Sequence, residues 1–303
     1  MKPLSFIIIT YNRSQDALEL LQNISSLSRA GDLLEQVIVV NNASTEDYSL
    51  VKNFYAPGLP FLYVDAKENL GVTKGRNFAL QYAKGEIIIF LDDDAVLQNA
   101  DALINVIDAF KKPGFENRPV GIVSFKVLYY DTLQLQKNAL PHKQFEGYKD
   151  KNEFFTYYFA GGAHAIKRKV LEEVGNLPAE FFYGMEEYDL SYRIIDNGYC
   201  IKYDSSIVML HKESPLGRKP KSDKQRMMWV NKAKVAYRYL PKIYFYSTAI
   251  MWSIEYFIKA GFDFSGWLVG WQQILKIPAK ERRTKLKKSS LEYLRKVQAR
   301  LWY

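Results

Sequence analysis

The chain of 303 residues is 48% hydrophobic and 15% aromatic, which supplies a large core and excludes a disordered chain. Its single cysteine, Cys200, excludes a disulfide framework and a zinc site built on several thiolates, and it favours a reducing compartment such as the cytoplasm. The net charge of +9 divides into −6 over residues 1–211, with 21 basic and 27 acidic side chains, and +15 over residues 212–303, with 21 and 6. Such a basic tail suggests an anionic partner, namely a membrane surface, a phosphate-bearing substrate or nucleic acid, although a solvated basic helix face is the commoner outcome.

Four short apolar runs near the start of the chain have the length and composition of buried parallel strands. They are Leu4–Ile9, Gln36–Val40, Phe61–Val64 and Glu86–Leu91. Segments with helical spacing lie between them, notably Ala17–Leu27 and Lys74–Ala83, and this alternation predicts an α/β fold with a doubly wound, mostly parallel sheet. Ligands of such sheets bind beyond the carboxyl ends of the strands, where three polar loops are expected to converge. The loops are Thr10–Arg13, Asn41–Asp47 and Asp92–Asp94.

The middle of the chain continues with a predicted helix at Asp101–Phe110 and a predicted strand at Val120–Tyr129. The segment Leu133–Glu153 is polar without periodicity and is expected to be a flexible loop. The elements expected after it are an aromatic segment Phe154–Phe159, a small-residue turn Ala160–Ala163, helices at Lys167–Val174 and Phe181–Asp196, and short strands at Tyr199–Tyr203 and Ile207–Leu210.

The composition changes beyond Lys212, which predicts a first domain over 1–214 and a helical, basic, amphipathic region over 215–303. Pro215–Pro220 resembles a basic linker, and Lys285–Tyr303 has the spacing of an amphipathic basic helix. The most apolar tail region, Ile243–Leu275, is interrupted by charged side chains, so no transmembrane span is expected, and the opening residues lack the pattern of a signal peptide. One further helical face is predicted from Trp229, Ala233, Ala236, Tyr237 and Leu240.

Three consecutive carboxylates, Asp92, Asp93 and Asp94, directly follow the apolar strand that ends at Leu91. Placing three acids together is electrostatically costly unless a cation lies among them, and oxygen ligands at a strand end suit Mg²⁺ or Mn²⁺ bridging a diphosphate. Taken alone, such a triplet is more often a solvated turn or the first turn of a helix.

Several blocks occur together in one order along residues 4–211. They are Phe6–Arg13, Val37–Asp47, Asn69–Asn77, Ile89–Asp94, Gly161–Ala163, Phe182–Leu190 with Arg193, and His211. Together they resemble the inverting, GT-A-fold glycosyltransferases of family 2, and their joint occurrence is far more specific than any one block. The resemblance implies transfer of a sugar from a nucleoside-diphosphate sugar to an acceptor hydroxyl, with a nucleotide-sugar half over about 1–100 and an acceptor half over about 101–214.

The resemblance assigns the donor site residue by residue. Thr10, Tyr11 and Arg13 would line the base and ribose, and Asn41 and Ser44 would lie beside the base. The family commonly has Asp at Asn41, so the base stays open among UDP-, dTDP- and GDP-sugars. The remaining donor-site residues implied are Gly71, Arg76, Asp92, Asp93, Gly161 and Gly162, and the metal ligands implied are Asp92, Asp94 and His211 for Mn²⁺ or Mg²⁺.

The reaction requires a carboxylate that removes the proton of the acceptor hydroxyl. By resemblance this is Glu187, where the family commonly has Asp, with Glu186 and Asp189 as reserve candidates. An acidic helix N-terminus that complements the helix dipole is the alternative explanation of these acids. His142 and His164 are expected to be structural.

Two other functions compete with the sugar transferase. One is a catalytically silent, membrane-associated scaffold of the same fold. The other is nucleic-acid binding through the tail, which ranks last because no nucleic-acid motif is present.

We expect the tail to attach the protein peripherally to the inner face of the cell membrane, because Trp252, Trp267, Trp271 and Trp302 are interspersed with Lys and Arg. The acceptor would then be a glycan or lipid-linked glycan of bacterial-type polysaccharide or surface glycan assembly. The same apolar faces also suit packing on the first domain or on a second copy in a homo-oligomer.

Overall fold

The computed structural model describes residues 2–214, 216 and 221–301. In these residues the strands are β1 (Leu4–Thr10), β2 (Leu34–Asn41), β3 (Phe61–Asp65), β4 (Ile87–Asp92), β5 (Ala95–Leu97), β6 (Val120–Tyr129), β7 (Glu153–Thr156), β8 (Ala163–Lys167) and β9 (Cys200–His211). The helices are α1 (Ser14–Ser25), α2 (Ala30–Leu33), α3 (Ser49–Lys52), α4 (Gly71–Leu80), α5 (Ala102–Lys111), α6 (Phe145–Tyr148), α7 (Arg168–Val174), α8 (Glu186–Asp196), α9 (Lys221–Tyr239), α10 (Lys242–Lys259), α11 (Phe264–Leu275), α12 (Ile277–Lys280) and α13 (Lys288–Lys296).

One mixed sheet, in the order β3-β2-β1-β4-β8-β6-β9-β5, forms the centre of the molecule, and β7 pairs with β9. The first four strands are parallel to one another, as their apolar runs predict. Strand β8 runs antiparallel to both β4 and β6, so the parallel pairing of the first four strands stops at β4, the strand that ends in the acidic residues. The carboxyl ends of β1, β2 and β4 therefore lie on one rim.

Two short strands predicted at Tyr199–Tyr203 and Ile207–Leu210 are a single strand, β9. The polar residues between them form a bulge within the pairing with β6, where the register shifts. Asp204 Oδ1 accepts a 3.0 Å hydrogen bond from Ser206 N, which satisfies the backbone inside the bulge. A polar interruption in the sequence was therefore a bulge rather than a strand end.

The segment predicted as a flexible loop, Leu133–Glu153, contains the short helix α6 and a buried anchor. Leu140 and His142 are buried, and Tyr158 Oη donates a 3.0 Å hydrogen bond to the Leu140 carbonyl. His142 Nε2 lies 3.2 Å from the Val297 carbonyl, so this segment contacts the end of the chain. Its hydrophobic contacts are with distant residues and leave no periodic pattern in the sequence.

The helical tail packs on the sheet domain and shares its hydrophobic core. Trp229 on α9 and Leu294 on α13 are completely buried in the same cluster as the strands. The predicted amphipathic helix Lys285–Tyr303 is found as α13. It packs on the protein, which is one of the two alternatives that the sequence left open for the tail. The domain division at residue 214 stays a prediction. Pro215, the predicted linker residues 217–220 and Trp302 lie outside the described residues.

No helix in the described part of the chain combines the length and the hydrophobicity that crossing a membrane requires.

Candidate active site

The loop after β1 and the loop after β2 are joined by hydrogen bonds at the rim. Thr10 Oγ1 and Tyr48 Oη lie 2.7 Å apart, and Ser44 Oγ accepts a 2.9 Å hydrogen bond from Asn12 N. Asn41 Oδ1 in turn accepts from Ser44 N at 3.0 Å. Thr10, Ser44 and Asn41 are therefore held in a preformed surface, and Tyr11 is half-buried beside them.

Arg13 lies on the acidic triplet. Its Nη1 is 2.8 Å from Asp93 Oδ1 and 3.2 Å from Asp94 Oδ2, while Nη2 donates to the Ser214 carbonyl at 3.0 Å. Burial raises the pKa of Asp93 to about 7, and the charge of Arg13 opposes that rise. The structure thus places Arg13 where it neutralises carboxylates, and a contact with base or ribose stays a prediction.

A candidate metal site is formed by Asp92, Asp94 and His211, whose ligand atoms lie within 4.8 Å of one another. His211 Nε2 is 3.3 Å from Asp94 Oδ1, yet that buried oxygen accepts no hydrogen bond within the described residues. His211 Nδ1 lies 3.0 Å from Gln136 Oε1. If Nδ1 carries the proton to Gln136, Nε2 keeps its lone pair for a metal ion. An oxygen without a donor and an oriented imidazole fit a divalent cation.

The protonation of these groups follows from the same contacts. Burial alone would raise the pKa of Asp94, but contacts with His211, Arg13 and Ser214 N outweigh burial and lower it. Burial acts to lower the pKa of His211, but Asp94 outweighs it and raises the pKa. Asp94 is therefore an anion at neutral pH, as a cation ligand must be.

Arg76 on α4 links the donor rim to the acidic start of α8. Its Nη2 is 3.1 Å from Asp92 Oδ1, and its Nη1 is 3.9 Å from Glu186 Oε1. The guanidinium is almost completely buried, whereas Asp92 remains 41% exposed. Arg76 holds Asp92 at the edge of the cavity, where that carboxylate is open to a ligand.

The turn Ala160–Ala163 brings two glycines against the acidic side chains. A Cβ built on Gly161 would overlap Glu187 Oε1, and one built on Gly162 would overlap Asp92 Oδ2. No other residue type fits at either position without moving a carboxylate. These glycines therefore set the positions of Asp92 and Glu187. Gly71 has a similar role beside Phe182, at a φ of +72°.

Glu186 and Glu187 begin α8 and face the cavity, whereas Asp189 does not. Burial and the neighbouring charge of Glu186 raise the pKa of Glu187 to about 8. Asp189 is buried and accepts hydrogen bonds from Arg193 Nε at 2.9 Å, Arg238 Nη1 at 2.8 Å and Tyr239 Oη at 2.9 Å. Asp189 therefore acts in packing α8 against α9, which weakens it as a reserve base.

One cavity of about 670 Å³ brings Asp92 and His211 together with Glu187. The residues already described that line it are Arg76, Asp92, Gly161, Gly162, Glu186, Glu187 and His211. His164 is not among them: its ring is buried against Phe90, and burial lowers its pKa to about 3. The arrangement places a candidate metal site and a candidate general base in one chamber.

The profile described as Glycosyl transferase family 2 matches residues 5–175 of this chain. A Haemophilus influenzae protein of undescribed function is 34% identical over 179 residues, which cover 58% of this chain and 92% of the relative. The chain belongs to glycosyl transferase family 2. The Bacillus subtilis protein YfnE, described as a glycosyltransferase, is 27% identical over 269 residues, covering 72% of this chain and 67% of its own.

Solved structures support the same GT-A fold for this family 2 chain. A mannosyltransferase from Pyrobaculum calidifontis, solved with GDP-Man and Mn²⁺, superposes with a TM-score of 0.58 at 21% identity, covering 99% of this chain and 80% of its own. Residues 1–349 of Staphylococcus aureus TarS, solved with UDP-GlcNAc, superpose with a TM-score of 0.61 at 16% identity, covering 91% and 81%.

The family 2 chain has a further acidic residue at this rim that the sequence interpretation missed. Asp65 ends β3 beside Asn41, and Asn41 Nδ2 donates a 3.0 Å hydrogen bond to Asp65 Oδ1. Tyr63 Oη donates to the same oxygen at 2.9 Å. The position of Asp65 at the end of a predicted strand was the available signal. Asp65 therefore places a carboxylate beside Asn41, the position at which the resemblance leads us to expect Asp.

Proposed function

We propose that this chain is a metal-dependent, inverting glycosyltransferase that moves a sugar from a nucleoside-diphosphate sugar to an acceptor hydroxyl. The observation that carries the proposal is the single cavity in which Asp92 and His211 share a chamber with Glu187. Membership of family 2 supports glycosyl transfer. The three-dimensional arrangement supports a donor side and an acceptor side within that cavity.

The donor side is the rim formed by the ends of β1, β2 and β3. Tyr11, Asn41 and Asp65 would contact the base and ribose, and Arg76 would pair with a phosphate. Asp92, Asp94 and His211 would hold Mn²⁺ or Mg²⁺, which would neutralise the charge of the departing nucleoside diphosphate. The Pyrobaculum mannosyltransferase was solved with a nucleotide sugar and Mn²⁺, which supports this cofactor and leaves the base open.

The acceptor side is the start of α8. Glu187 would take the proton of the attacking hydroxyl while that oxygen bonds to the anomeric carbon on the face opposite the leaving diphosphate. Direct displacement of this kind inverts the anomeric centre. Gly161 leaves the space that the Glu187 carboxylate occupies. Glu186, closer to Arg76, would hold that guanidinium in position.

The test compares the wild-type chain with Glu187→Gln on UDP-GlcNAc, UDP-glucose, dTDP-glucose and GDP-mannose, using a bacterial cell-envelope extract as acceptor. We expect release of nucleoside diphosphate to fall at least about 100-fold in the variant, while nucleotide affinity changes less than about twofold. Glu187→Asp, which restores the family's common residue, is the matched control and should keep measurable turnover. Full turnover in Glu187→Gln would reject the assigned base. No release by the wild type with any donor would favour the silent scaffold.

We further propose that α10 and α11 attach the enzyme to an anionic membrane, with a glycan or lipid-linked glycan as acceptor. Eleven of the sixteen large hydrophobic side chains exposed within the described residues lie between 243 and 275. Exposed residues of α10 fall on one helical face, which is defined by Ile243, Tyr246, Ile250, Ile254 and Ile258. Lys242, Lys259 and Lys276 lie at the ends of these two helices. An apolar face flanked by lysines suits an anionic lipid surface.

The proposed attachment surface differs from the set of tryptophans that the sequence suggested. Trp252, Trp267 and Trp271 are partly buried in the core, whereas the isoleucines of α10 are exposed. Trp252 lines the active-site cavity, so one side of α10 faces the chemistry and the other faces outward. A short stretch of the B. subtilis minor teichoic acid biosynthesis protein GgaB is 35% identical over 79 residues, which supports surface-glycan assembly.

Sedimentation with vesicles of phosphatidylglycerol and phosphatidylcholine tests the attachment. The wild type should pellet with the anionic vesicles, and Ile254→Glu should reduce the bound fraction at least about fivefold. Leu50→Glu, an exposed apolar position on α3, is the matched control and should bind as the wild type does. Absence of sedimentation, or a soluble dimer that Ile254→Glu dissociates, would contradict the membrane proposal.

A further inference from the structure

The cavity continues beyond Glu187 to a wall that carries several cations. Lys143, Lys232, Lys259 and Arg300 line it, with Glu255 as the carboxylate among them. They come from four separate segments of the chain: the loop before α6, α9, α10 and the residues after α13. With four basic side chains and one acidic one, the formal net charge of this wall is 4 − 1, or +3. Distant parts of the sequence thus place positive charge at the acceptor end of the chamber.

Lys232 is the innermost of these cations. Its Nζ lies 3.3 Å from the centroid of the Tyr188 ring. Tyr188 directly follows the predicted base, Glu187, in the sequence. The ion pairs of the described residues include none with Lys232 Nζ. Burial, followed by the charges of Lys143 and Arg300, holds its pKa well below the ordinary value, and Glu187 acts in the opposite direction. Lys232 therefore lies between the base and the other cations.

Lys143 is in a similar position on the opposing segment. Its Nζ is 5.5 Å from the centroid of the Tyr158 ring. Burial and the charge of Arg300 lower its pKa, while Glu255 raises it. Lys259, by contrast, pairs with Glu255. Lys143 is exposed at the open side of the cavity, whereas Lys232 is half-buried. A half-buried lysine that faces an aromatic ring rather than a carboxylate is unusual in a folded protein, because buried cations are normally compensated by anions.

The donor diphosphate does not account for these cations. The negative charge of the donor diphosphate would be compensated by Arg76 and by the proposed metal ion at Asp92 and Asp94. The charges that act most strongly on Lys232 are Lys143, Glu187 and Arg300, and none of the donor-side carboxylates is among them. The groups that act on Lys232 therefore belong to the Glu187 side of the cavity rather than to the proposed donor side.

We propose that the acceptor carries a phosphate group close to its reacting hydroxyl, and that Lys232 and Lys143, with Arg300, bind that phosphate. This inference rests on the proposed function, because Glu187 defines the position of the hydroxyl. A phosphate supplies several acceptor oxygens and at least one negative charge, which would compensate the charges of Lys232 and Lys143. The phosphate belongs either to a soluble polyol or sugar phosphate or to a lipid-linked diphosphate, and both present the same chemistry.

Binding to the enzyme preloaded with nucleoside diphosphate and Mn²⁺ tests the proposal without requiring turnover. The soluble probes are glycerol 3-phosphate and glucose 1-phosphate, each compared with glycerol or glucose, and the lipid probe is glucose linked to farnesyl diphosphate. We expect a phosphorylated probe to bind at least about tenfold more tightly than its phosphate-free counterpart. Tighter binding in the soluble set alone, or in the lipid set alone, supports the proposal and identifies the source of the phosphate.

The variants Lys232→Gln and Lys143→Gln should each remove most of that preference and leave nucleotide affinity within about twofold. Lys221→Gln, at the exposed start of α9, is the matched control and should bind as the wild type does. If Lys232→Gln does not fold, Lys143→Gln on the other segment gives the same readout. Equal binding of phosphorylated and phosphate-free probes, or variants that weaken only the nucleotide, would overturn the inference. If the wild type binds no nucleotide at all, the proposed function fails instead.

Discussion

Gly162 is adjacent to Asp92, so that a Cβ at residue 162 would overlap the carboxylate Oδ2. Asp92 N also donates a 3.1 Å hydrogen bond to the Gly162 carbonyl, which fixes the two backbones together. The backbone of the turn before β8 thereby determines where the exposed carboxylate of the candidate metal site points.

Gly162→Ala is therefore expected to displace Asp92 and weaken Mn²⁺-dependent nucleotide binding at least about tenfold, because one ligand leaves the site. Calorimetric titration measures this change. Gly147→Ala is the matched control, since a Cβ there meets nothing within 4 Å, and it should bind nucleotide normally. Unchanged affinity in Gly162→Ala would show that Asp92 does not hold the metal.

Gly161→Ala should have a different effect, because the added methyl group would overlap Glu187 rather than Asp92. We expect turnover to fall at least about tenfold while metal-dependent nucleotide binding stays within about twofold. Donor binding and nucleotide release, measured on the same preparation, separate the two effects. A loss of donor binding equal to that of Gly162→Ala would contradict the division of the cavity into donor and acceptor sides.

Asp189→Asn is expected to affect stability rather than chemistry. Asp189 accepts from Arg193, Arg238 and Tyr239, and an amide in its place leaves the guanidinium of Arg238 with less compensation. We expect a loss on the order of 3 kcal/mol in the free energy of unfolding, measured with denaturant. Turnover per folded molecule at 20 °C should be retained. Wild-type stability combined with lost turnover would return Asp189 to the list of bases.

The pH dependence of turnover should follow Glu187. Burial and the charge of Glu186 raise the pKa of Glu187 to about 8, and a general base must be ionised. Because the protonated form accumulates below that pKa, kcat should fall as the pH is lowered from 8 to 6, approaching about tenfold per pH unit. Glu186→Gln removes one cause of the raised pKa and should move this limb to lower pH. A flat profile between pH 6 and 8 would contradict the assignment.

Local sequence patterns were sufficient for the first half of the fold. The runs Leu4–Ile9 and Glu86–Leu91 form strands because their mainly apolar residues are buried on both sheet faces. The position of Asp92–Asp94 on the rim followed from the parallel topology. Such features depend on neighbours in sequence, and a sequence interpretation reaches them.

Features that depend on distant packing were not predicted. Arg13 pairs with Asp93, eighty residues away, a contact that the sequence interpretation did not include. Asp189 belongs to the same acidic motif as Glu187, yet it faces α9 rather than the cavity. The large hydrophobic side chains that α10 exposes include its isoleucines but not Trp252, which packs inward. None of these outcomes has a signature in local composition.

The most direct test of the account is calorimetric titration of the chain with UDP, GDP and dTDP, each with Mn²⁺ and again with a chelator. We predict that one nucleotide binds with Mn²⁺, that the chelator weakens its binding at least about tenfold, and that Asp94→Asn makes the affinity independent of the metal. That result would also identify the base of the donor. Binding of none of the three nucleotides in the presence of Mn²⁺ would contradict the donor site at Asp92, Asp94 and His211.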